Sequence, residues 1–378
     1  VKDGKIAFGI IGCGVIGPWH AGAIARVENA TLVAVCDEIE ERAKNLAEKY
    51  GADYYTDYRR LLERKEIDVV CICLPSGQHA EFGIQCAQAG KHIISEKPLD
   101  ITLEKIDAFI TAARENKVKL AGIFQRRFQP NSLRIKQAIE SGRLGRIHTA
   151  DCYIKWYRSQ AYYDSGDWRG TWALDGGGCL MNQGVHGIDL LQWLVGKVKS
   201  VYAVTDRVAH ERIEVEDQAF ALVEFANGAK GIIEGSTSCY PGLPTIHQIH
   251  GTNGSVGLEE EKLSLWKFVD MDEKVKAARE RAKAENLDPE SFFDDEMRAY
   301  LDILRTANEK KAAADTGDPQ AVLGLPGSSH YPQIKDMVEA ILEDREPACT
   351  GEDARHAVEI ILAIYKSARE GRKVELPL

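Results

Sequence analysis

From Ile6 to Gly17 the chain reads Ile-Ala-Phe-Gly-Ile-Ile-Gly-Cys-Gly-Val-Ile-Gly, and the reading of these residues decides the fold. The apolar run Ile6 to Gly12 suits a strand buried on both faces. Gly12, Gly14 and Gly17 make a GxGxxG, with Pro18 where a helix would begin. In such a turn the first glycine permits a tight bend, the second lets the backbone approach a pyrophosphate, and the third lets helix and strand close together. The helix N-terminus then offers free amides and its positive dipole end to an anion. Pro18 is harmless in a first turn, where its missing N–H would have no partner. Twenty residues beyond Gly17, at the end of the next expected strand, stands Asp37. Its carboxylate suits two ribose hydroxyls and, with Glu38 beside it, repels a 2′-phosphate, so the expected cofactor is NAD rather than NADP. A glycine turn of this kind also occurs without a ligand; here turn, flanking elements and acid agree.

Outward from this turn, residues 1–124 alternate short β-branched runs with helical stretches, the pattern of βαβ units. Expected strands are Ile6 to Gly12, Leu32 to Asp37, Val69 to Leu74, His92 to Ser95 and Lys119 to Ile123. Expected helices are Pro18 to Glu28, Ile39 to Tyr50, Tyr58 to Arg64, Ala80 to Ala89 and Leu103 to Glu115. This predicts an α/β Rossmann domain with a doubly wound parallel sheet. After Phe124 a helix at Ser132 to Ser141 is followed by longer strand-like runs, Ile147 to Trp156, Val198 to Val208, Gln218 to Phe225 and Ala229 to Gly235. Asn227-Gly228 is a two-residue hairpin signal that makes its flanking strands antiparallel. Residues 125–378 are therefore expected to form an α+β substrate-binding domain. Within it, 270–318 is rich in Lys, Glu, Ala and Asp and reads as an exposed helical insertion, a solvated decoration or oligomer contact rather than a lid. Helices near Tyr331 to Glu343 and at 352–370 close the chain, Gly371 ending the last.

Acidic residues outnumber basic ones 58 to 48, a net charge of −10 that repels nucleic acid and anionic bilayers, and no basic block offsets it. Apolar runs such as Val69 to Leu74 fall far short of the roughly 20 residues a membrane helix needs. Nine cysteines cannot all pair, no CxxC occurs, and no charged and apolar leader opens the chain at Val1. The expectation is a cytoplasmic protein with neither nucleic acid nor membrane as a partner.

Glu96-Lys97-Pro98 follows the strand ending at Ser95, and the carboxyl ends of strands in such a sheet face the ligand crevice. Pro98 keeps Lys97 out of the helical region and gives its ammonium a defined direction. The tripeptide suits an ordinary exposed lysine equally well. A second cluster runs Gly176-Gly177-Gly178-Cys179-Leu180-Met181-Asn182-Gln183-Gly184-Val185-His186-Gly187-Ile188-Asp189. A helix from about Gly178 would put Asn182 and His186 on one face with Asp189 a turn further on, and the glycines would leave its first amides open to a ligand. His186 then reads two ways, as a group facing substrate or as a buried histidine bonded to Asp189. His247 and His250, three apart on an expected strand, point to opposite faces, and no metal is expected. From Tyr153 to Trp172 seven of twenty residues are aromatic, against 8% overall. With Arg158 and Arg169 interleaved, this stretch, including Tyr157, Tyr163 and Trp168, suits sugar rings, hydroxyls and carboxylates, while core or interface packing is the plainer use. Arg126, Arg127, Arg158 and Arg169 read as clamps for a pyrophosphate or uronate, or as partners of surplus carboxylates.

Taken together, GCGVIG with His20, then Asp37, Leu74-Pro75-Ser76 through His79, Glu96-Lys97-Pro98 and GGGCLMNQGVHGID resemble the Gfo/Idh/MocA oxidoreductases over nearly the whole chain. The resemblance implies an N-terminal Rossmann domain for a nicotinamide dinucleotide and a C-terminal domain whose large, mostly antiparallel sheet binds a sugar, cyclitol or nucleotide sugar. Lys97 matches the lysine of the family's EKP motif and His186 the histidine of its second motif, implying an ammonium on the reacting oxygen and an imidazole base. The expected cofactor contacts are Gly12, Gly14, Val15, Ile16, Asp37, Leu74, Pro75, His79, Glu96 and Lys97. The expected substrate contacts are Asn182, Tyr157, Arg158, Tyr163, Trp168, Arg169 and Arg127. Inositol-dehydrogenase-like members carry an aspartate four residues before the histidine, where this chain has Asn182, and an amide neither takes a proton nor raises an imidazole pKa. Met181-Asn182-Gln183 looks more like the members that oxidise a sugar at C3, including UDP-N-acetylglucosaminuronate dehydrogenases. The expected activity is NAD-dependent oxidation of a secondary ring hydroxyl of a sugar, glycoside or cyclitol, by a homodimer or homotetramer. Three alternatives stand beside it: a UDP-sugar 3-dehydrogenase of the UDP-N-acetylglucosaminuronate kind, redox-assisted glycoside cleavage with recycled NAD, and a non-catalytic dinucleotide or sugar sensor, against which the presence of both Lys97 and His186 counts.

Overall fold

The computed structural model describes residues 4–312 and 329–378. Its first sheet is built from β1 (Ile6–Ile11), β2 (Ala30–Cys36), β3 (Asp53–Tyr55), β4 (Val69–Ile72), β5 (His92–Ser95) and β6 (Leu120–Gly122), joined by helices α1 (Gly17–Ile24), α2 (Glu40–Tyr50), α3 (Tyr58–Leu62), α4 (His79–Gln88) and α5 (Leu103–Glu115). All its pairings are parallel, in the order β3-β2-β1-β4-β5-β6. The order reverses between β1 and β4, which opens a crevice at their carboxyl ends. The continuous apolar runs follow from burial on both faces. Val70, Ile72 and Ile93 face Leu61, Ile106 and Phe109, whereas Phe8, Ile10 and Ile94 face Ile24 and Leu46. The short edge strand β3, half polar in sequence, escapes a reading based on apolar runs.

The chain continues through α6 (Pro130–Glu140), β7 (Ile147–Lys155), α7 (Gln160–Asp164), α8 (Val185–Val195), β8 (Val198–Asp206), β9 (Gln218–Phe225), β10 (Lys230–Ser236), β11 (Ile246–Gly251), β12 (Gly254–Glu259) and β13 (Lys262–Phe268). With β14 (Val374–Glu375) these strands form an eight-stranded sheet, β13-β12-β11-β7-β10-β9-β8-β14, antiparallel except between β7 and β10. Asn227-Gly228 turns β9 into β10 as its hairpin signal predicts, with Gly228 at φ +89°. The charged stretch after β13 folds as α9 (Val269–Glu285) and α10 (Asp295–Ala312), while 313–318 of the expected insertion lie outside the described residues. Two helices close the chain, α11 (Tyr331–Leu342) and α12 (Gly351–Glu370), the latter opened by a Thr350/Asp353 capping box and ended by Gly371 at φ +61°.

This last segment returns to the first sheet. Ile334, Met337 and Val338 of α11 fill the core beside Phe8 and Ile10, and Gly122 N donates to Cys349 O at 3.2 Å. The opposite face of the first sheet shares one continuous core with Ile154, Leu180, Ile188 and Val223 of the second half. The two sheets therefore meet over buried side chains, which holds the carboxyl ends of β4 and β5 against the start of α8. Among the described residues no helix is long and apolar enough to cross a membrane.

Candidate active site

At the end of β1 the glycine turn has two tight points and one open one. Gly12 sits at φ +97°, and a Cβ there would collide with the Cys73 carbonyl; one on Gly17 would collide with Gly12 O. A Cβ on Gly14 would meet nothing within 4 Å, and Val15 beside it is 82% exposed. The fold needs glycine at 12 and 17, while position 14 keeps space clear for a ligand. The first turn of α1, with Ile16 at its N-cap, holds no acidic residue. Asp37 is fixed by Cys13 N to Oδ2 (2.7 Å) and Ile39 N to Oδ1 (2.9 Å). Open backbone, a helix N-terminus and a fixed carboxylate acceptor fit a dinucleotide with an unphosphorylated ribose.

Of the other expected cofactor contacts, His79 and Glu96 serve the protein itself. His79 is buried, with Nδ1 2.6 Å from Pro98 O and Nε2 2.7 Å from Leu74 O. It brackets the Leu74-Pro75 turn against the Lys97-Pro98 turn and presents no free nitrogen. Glu96 Oε1 faces His20 Nε2 at 2.9 Å and His330 Nε2 at 3.1 Å. Burial opposes the Glu96 charge, but the His20 and His330 imidazoles outweigh it and hold the carboxyl well below its ordinary range. These three side chains lie close enough to share a cation. Both nitrogens stand at hydrogen-bonding distance from a single oxygen, the arrangement of two donors on one acceptor, and we assign no metal to them. The cluster ties α1 and the segment before α11 to the residue preceding Lys97.

Lys97, half-buried, crosses to the second cluster and donates from Nζ to the main-chain oxygen of Asn182 at 2.7 Å. Burial pushes its pKa down, as do Arg158 and Arg169, against the opposing pull of Glu96 and Asp175. His186 is also half-buried, its ring edge-on to Phe124. Burial, then the Lys97 and Arg126 cations, hold its pKa well below the usual value, so the imidazole is neutral, and among the described residues Nδ1 has no hydrogen-bond partner. The pairing with Asp189 is not made. Asp189 instead takes a two-pronged grip from Arg127, Nε to Oδ2 at 2.8 Å and Nη2 to Oδ1 at 2.6 Å, with both side chains buried. Arg127 is therefore a structural ion pair and not the substrate contact its position suggested. Breaking such a buried pair costs about 3–5 kcal/mol.

The second cluster corrects the helical reading in two ways. Cys179–Gly184 is a π-helix, with α8 beginning at Val185. Four residues span nearly one turn of either kind of helix, so the widening does not by itself separate Asn182 from His186; it moves the start of the regular α-helix from about Gly178 to Val185. The Asn182 side chain turns to Asp175, Nδ2 to Oδ1 at 2.8 Å. Nor are the first amides open to a ligand. Gly178 N and Leu180 N donate to the Glu216 carboxylate at 2.9 and 3.0 Å, and Cys179 N donates to Glu216 O at 3.0 Å. Tyr365 adds a hydroxyl donor to Glu216 Oε1 at 2.8 Å. Glu216 and Asp175 were missed in the sequence; the one available signal was an acid directly before three glycines.

The aromatic stretch divides between core and cleft. Tyr163 is 3% exposed with its hydroxyl 2.9 Å from Thr237 Oγ1, so it is core rather than a substrate contact. Tyr157 stays exposed, edge-on to Tyr240. Arg158 lies over the Trp156 and Tyr162 rings, and Arg169 over Tyr162 and Trp168, donating from Nη1 to Tyr162 OH at 2.6 Å. Among the described residues neither guanidinium has an ion-pair partner, and Arg158 Nε is buried without an acceptor. Arg126, by contrast, is paired with Glu260 at 2.6 Å. His247 donates from Nε2 to Gly187 O (2.9 Å) and His250 Nδ1 lies 2.8 Å from Ser255 Oγ, each on its own side of β11.

Comparison with known proteins is informative at this point. Residues 6–124 match the family model described as "Oxidoreductase family, NAD-binding Rossmann fold", and residues 132–257 match "GFO/IDH/MocA C-terminal domain". The crystal structure of the WlbA dehydrogenase from Bordetella pertussis in complex with NADH and UDP-GlcNAcA is similar over 100% of this chain and 99% of that one, at 33% identity and a TM-score of 0.82. A myo-inositol 2-dehydrogenase of Thermotoga maritima is 26% identical over 97% of this chain and 98% of its own length. Inositol 2-dehydrogenase 2 of Saccharopolyspora erythraea is 30% identical over 66% of this chain and 72% of its own.

Proposed function

The chain belongs to the GFO/IDH/MocA oxidoreductases, NAD-dependent dehydrogenases of sugars and cyclitols, and from that premise we propose that it oxidises a secondary ring hydroxyl, at C3, of a nucleotide-linked uronic sugar. The observation that carries the substrate class is the pair Arg158 and Arg169, two guanidiniums with no carboxylate within 4 Å among the described residues, Asp175 reaching Arg169 only at longer range, whose charges reach Lys97. Two cations held over aromatic rings in a half-buried cleft call for an anion, a carboxylate or a diphosphate. A neutral cyclitol would leave both uncompensated. The 33% identity with a dehydrogenase solved with UDP-GlcNAcA supports the same reading.

The turn Gly12 to Gly17, the N-terminus of α1 and Asp37 would hold NAD, which when bound supplies the acceptor for hydride. The residues of the chain manage the proton and the charge. Loss of hydride from a carbinol makes its hydroxyl proton acidic, and a base must stand within reach. His186, kept neutral by burial and by its cationic neighbours, would take that proton on a ring nitrogen. Lys97 donates to the same oxygen and stabilises negative charge as it develops. Its bond to Asn182 O holds one of the ammonium's three donors and leaves the others for substrate. Exposed Tyr202, Val204, Phe220 and Leu222 on β8 and β9 support the reading of a homo-oligomer, which sedimentation of the purified chain decides.

Absorbance of NADH, recorded with NAD and a panel of UDP-uronic acids, neutral UDP-sugars, inositols and glycosides, tests the proposal. Turnover with the uronic acids is expected, together with a fall in kcat of about a hundredfold or more in Lys97→Met and in His186→Asn while NAD still binds. Near-normal turnover in either variant removes that residue from the mechanism, and preference for inositols removes the substrate class. Stoichiometric NADH separates net oxidation from cleavage with recycled cofactor.

A further inference from the structure

One carboxylate inside this site has no part in the mechanism above. Asp175, 2% exposed, accepts from Gly170 N at Oδ2 (2.9 Å) and from Asn182 Nδ2 at Oδ1 (2.8 Å). The main-chain oxygen of that same Asn182 accepts from Lys97 Nζ. Asn182 is thus gripped at its side chain by an acid and at its backbone by the ammonium, and a shift at one end moves the other. The π-helical turn in which it lies is anchored independently by Glu216, so Asp175 is not needed to start that turn. Its grip falls on the residue that holds Lys97.

The charges around the ammonium sharpen the point. The ionisable groups facing Lys97 are Glu96, Asp175, Arg158 and Arg169, and its charge reaches His186. Asp175 in turn faces Lys97 and Arg169, and the Tyr163 hydroxyl lies near it. Glu96 is already shared between His20 and His330. Two arginines and burial all favour a neutral amine, and Asp175 is the acid whose hydrogen bonds lead to Lys97. A neutral lysine could neither carry positive charge to an oxyanion nor disfavour protonation of His186.

We propose that Asp175 is a positioning residue for the reaction: through Asn182 it fixes the Lys97 side chain, and its carboxyl group sets an acid beside an amine flanked by Arg158 and Arg169. The proposal rests on Lys97 being the cation at the reacting oxygen. It also assigns the carboxylate a place that substrate does not touch, so its loss acts on kcat more than on KM.

Competitive acetylation of the NAD-free protein by acetic anhydride across the alkaline range, followed by peptide mass spectrometry, titrates the Lys97 amine without any substrate. In Asp175→Asn, which keeps shape and loses charge, the midpoint is expected to fall by about one unit, and Asp175→Glu restores most of it. With UDP-N-acetylglucosaminuronate as the probe, kcat of Asp175→Asn falls about tenfold or more at nearly constant KM, and the alkaline limb of its pH profile moves down with the amine. An unmoved Lys97 midpoint overturns the proposal, whatever happens to stability. Asn182→Ala cuts the bridge and keeps both charges; it carries the test of positioning if Asp175→Asn does not fold, and wild-type kcat in it overturns that half. If instead Lys97→Met turns over normally, it is the reading of the site beneath the proposal that fails.

Discussion

The two glycine clusters look alike in sequence and do opposite work. Between β1 and α1, Gly12 and Gly17 are pressed against main-chain carbonyls while Gly14 borders open space. Before α8, all three glycines are filled in: Gly176 against Ile101, Gly177 against the Tyr365 hydroxyl, Gly178 against the Glu216 carbonyl. The first cluster leaves backbone for a ligand, whereas the amides of the second are spent on Glu216. A glycine thus marks a close approach, and only its surroundings say whether the approaching group is the protein or something it binds.

Substitutions can break this contrast or sharpen it. Gly178→Ala should cost the most, about 4 kcal/mol by chemical denaturation, because its Cβ meets a backbone carbonyl that cannot move aside. Gly12→Ala follows at about 3 kcal/mol, from a positive φ and the Cys73 carbonyl together. Glu96→Gln, which keeps the acceptor oxygen but removes the charge from the buried link between α1 and the Lys97 turn, should cost about 2 kcal/mol near neutral pH. Its pH dependence has a definite sign. A carboxyl depressed below 4.5 in the folded state contributes fully above that value and loses its contribution as pH falls through the depressed pKa. The wild type should therefore lose stability on acidification and converge with Glu96→Gln, which lacks that step; parallel acid curves would argue against the depressed pKa. Gly14→Ala should be the mildest for the fold, within about 0.5 kcal/mol, yet weaken NAD about tenfold by fluorescence titration. A Gly14→Ala protein that binds NAD normally would make the two clusters equivalent after all.

What the sequence disclosed follows the range of the interactions concerned. The strand, turn, helix and acid from Ile6 to Asp37 are set by neighbours in the chain, and the parallel sheet they announce is present. Asn227-Gly228 is equally local and equally readable. Lys97 and His186 were legible as candidates because each sits in a distinctive local motif. The bond from Lys97 to Asn182, across 85 residues, depends on a shared core that no local pattern describes. Arg127, Tyr163 and His79 carry the right chemistry for a site, and only their partners Asp189, Thr237 and Pro98 show it to be used inward. The π-helix leaves no trace in a 3.6-residue period, so the start of α8 at Val185 rather than near Gly178 was not legible. Asn182 read as a carboxylate lost; Asp175, seven residues earlier, stands against its amide.

The return of α11 and of Cys349 to the first sheet bears on how such proteins can be recombined. Met337 and Val338 sit in the same core as Phe8, and Cys349 pairs with the edge at Gly122. A chimaera that takes its nucleotide half from one parent and its sugar half from another, joined at a single crossover after Phe124, would seat a foreign tail in the native nucleotide half. Further crossovers are needed, one ahead of His330 and one after Cys349, so that α11 travels with the first sheet while β14 stays with the sheet it edges.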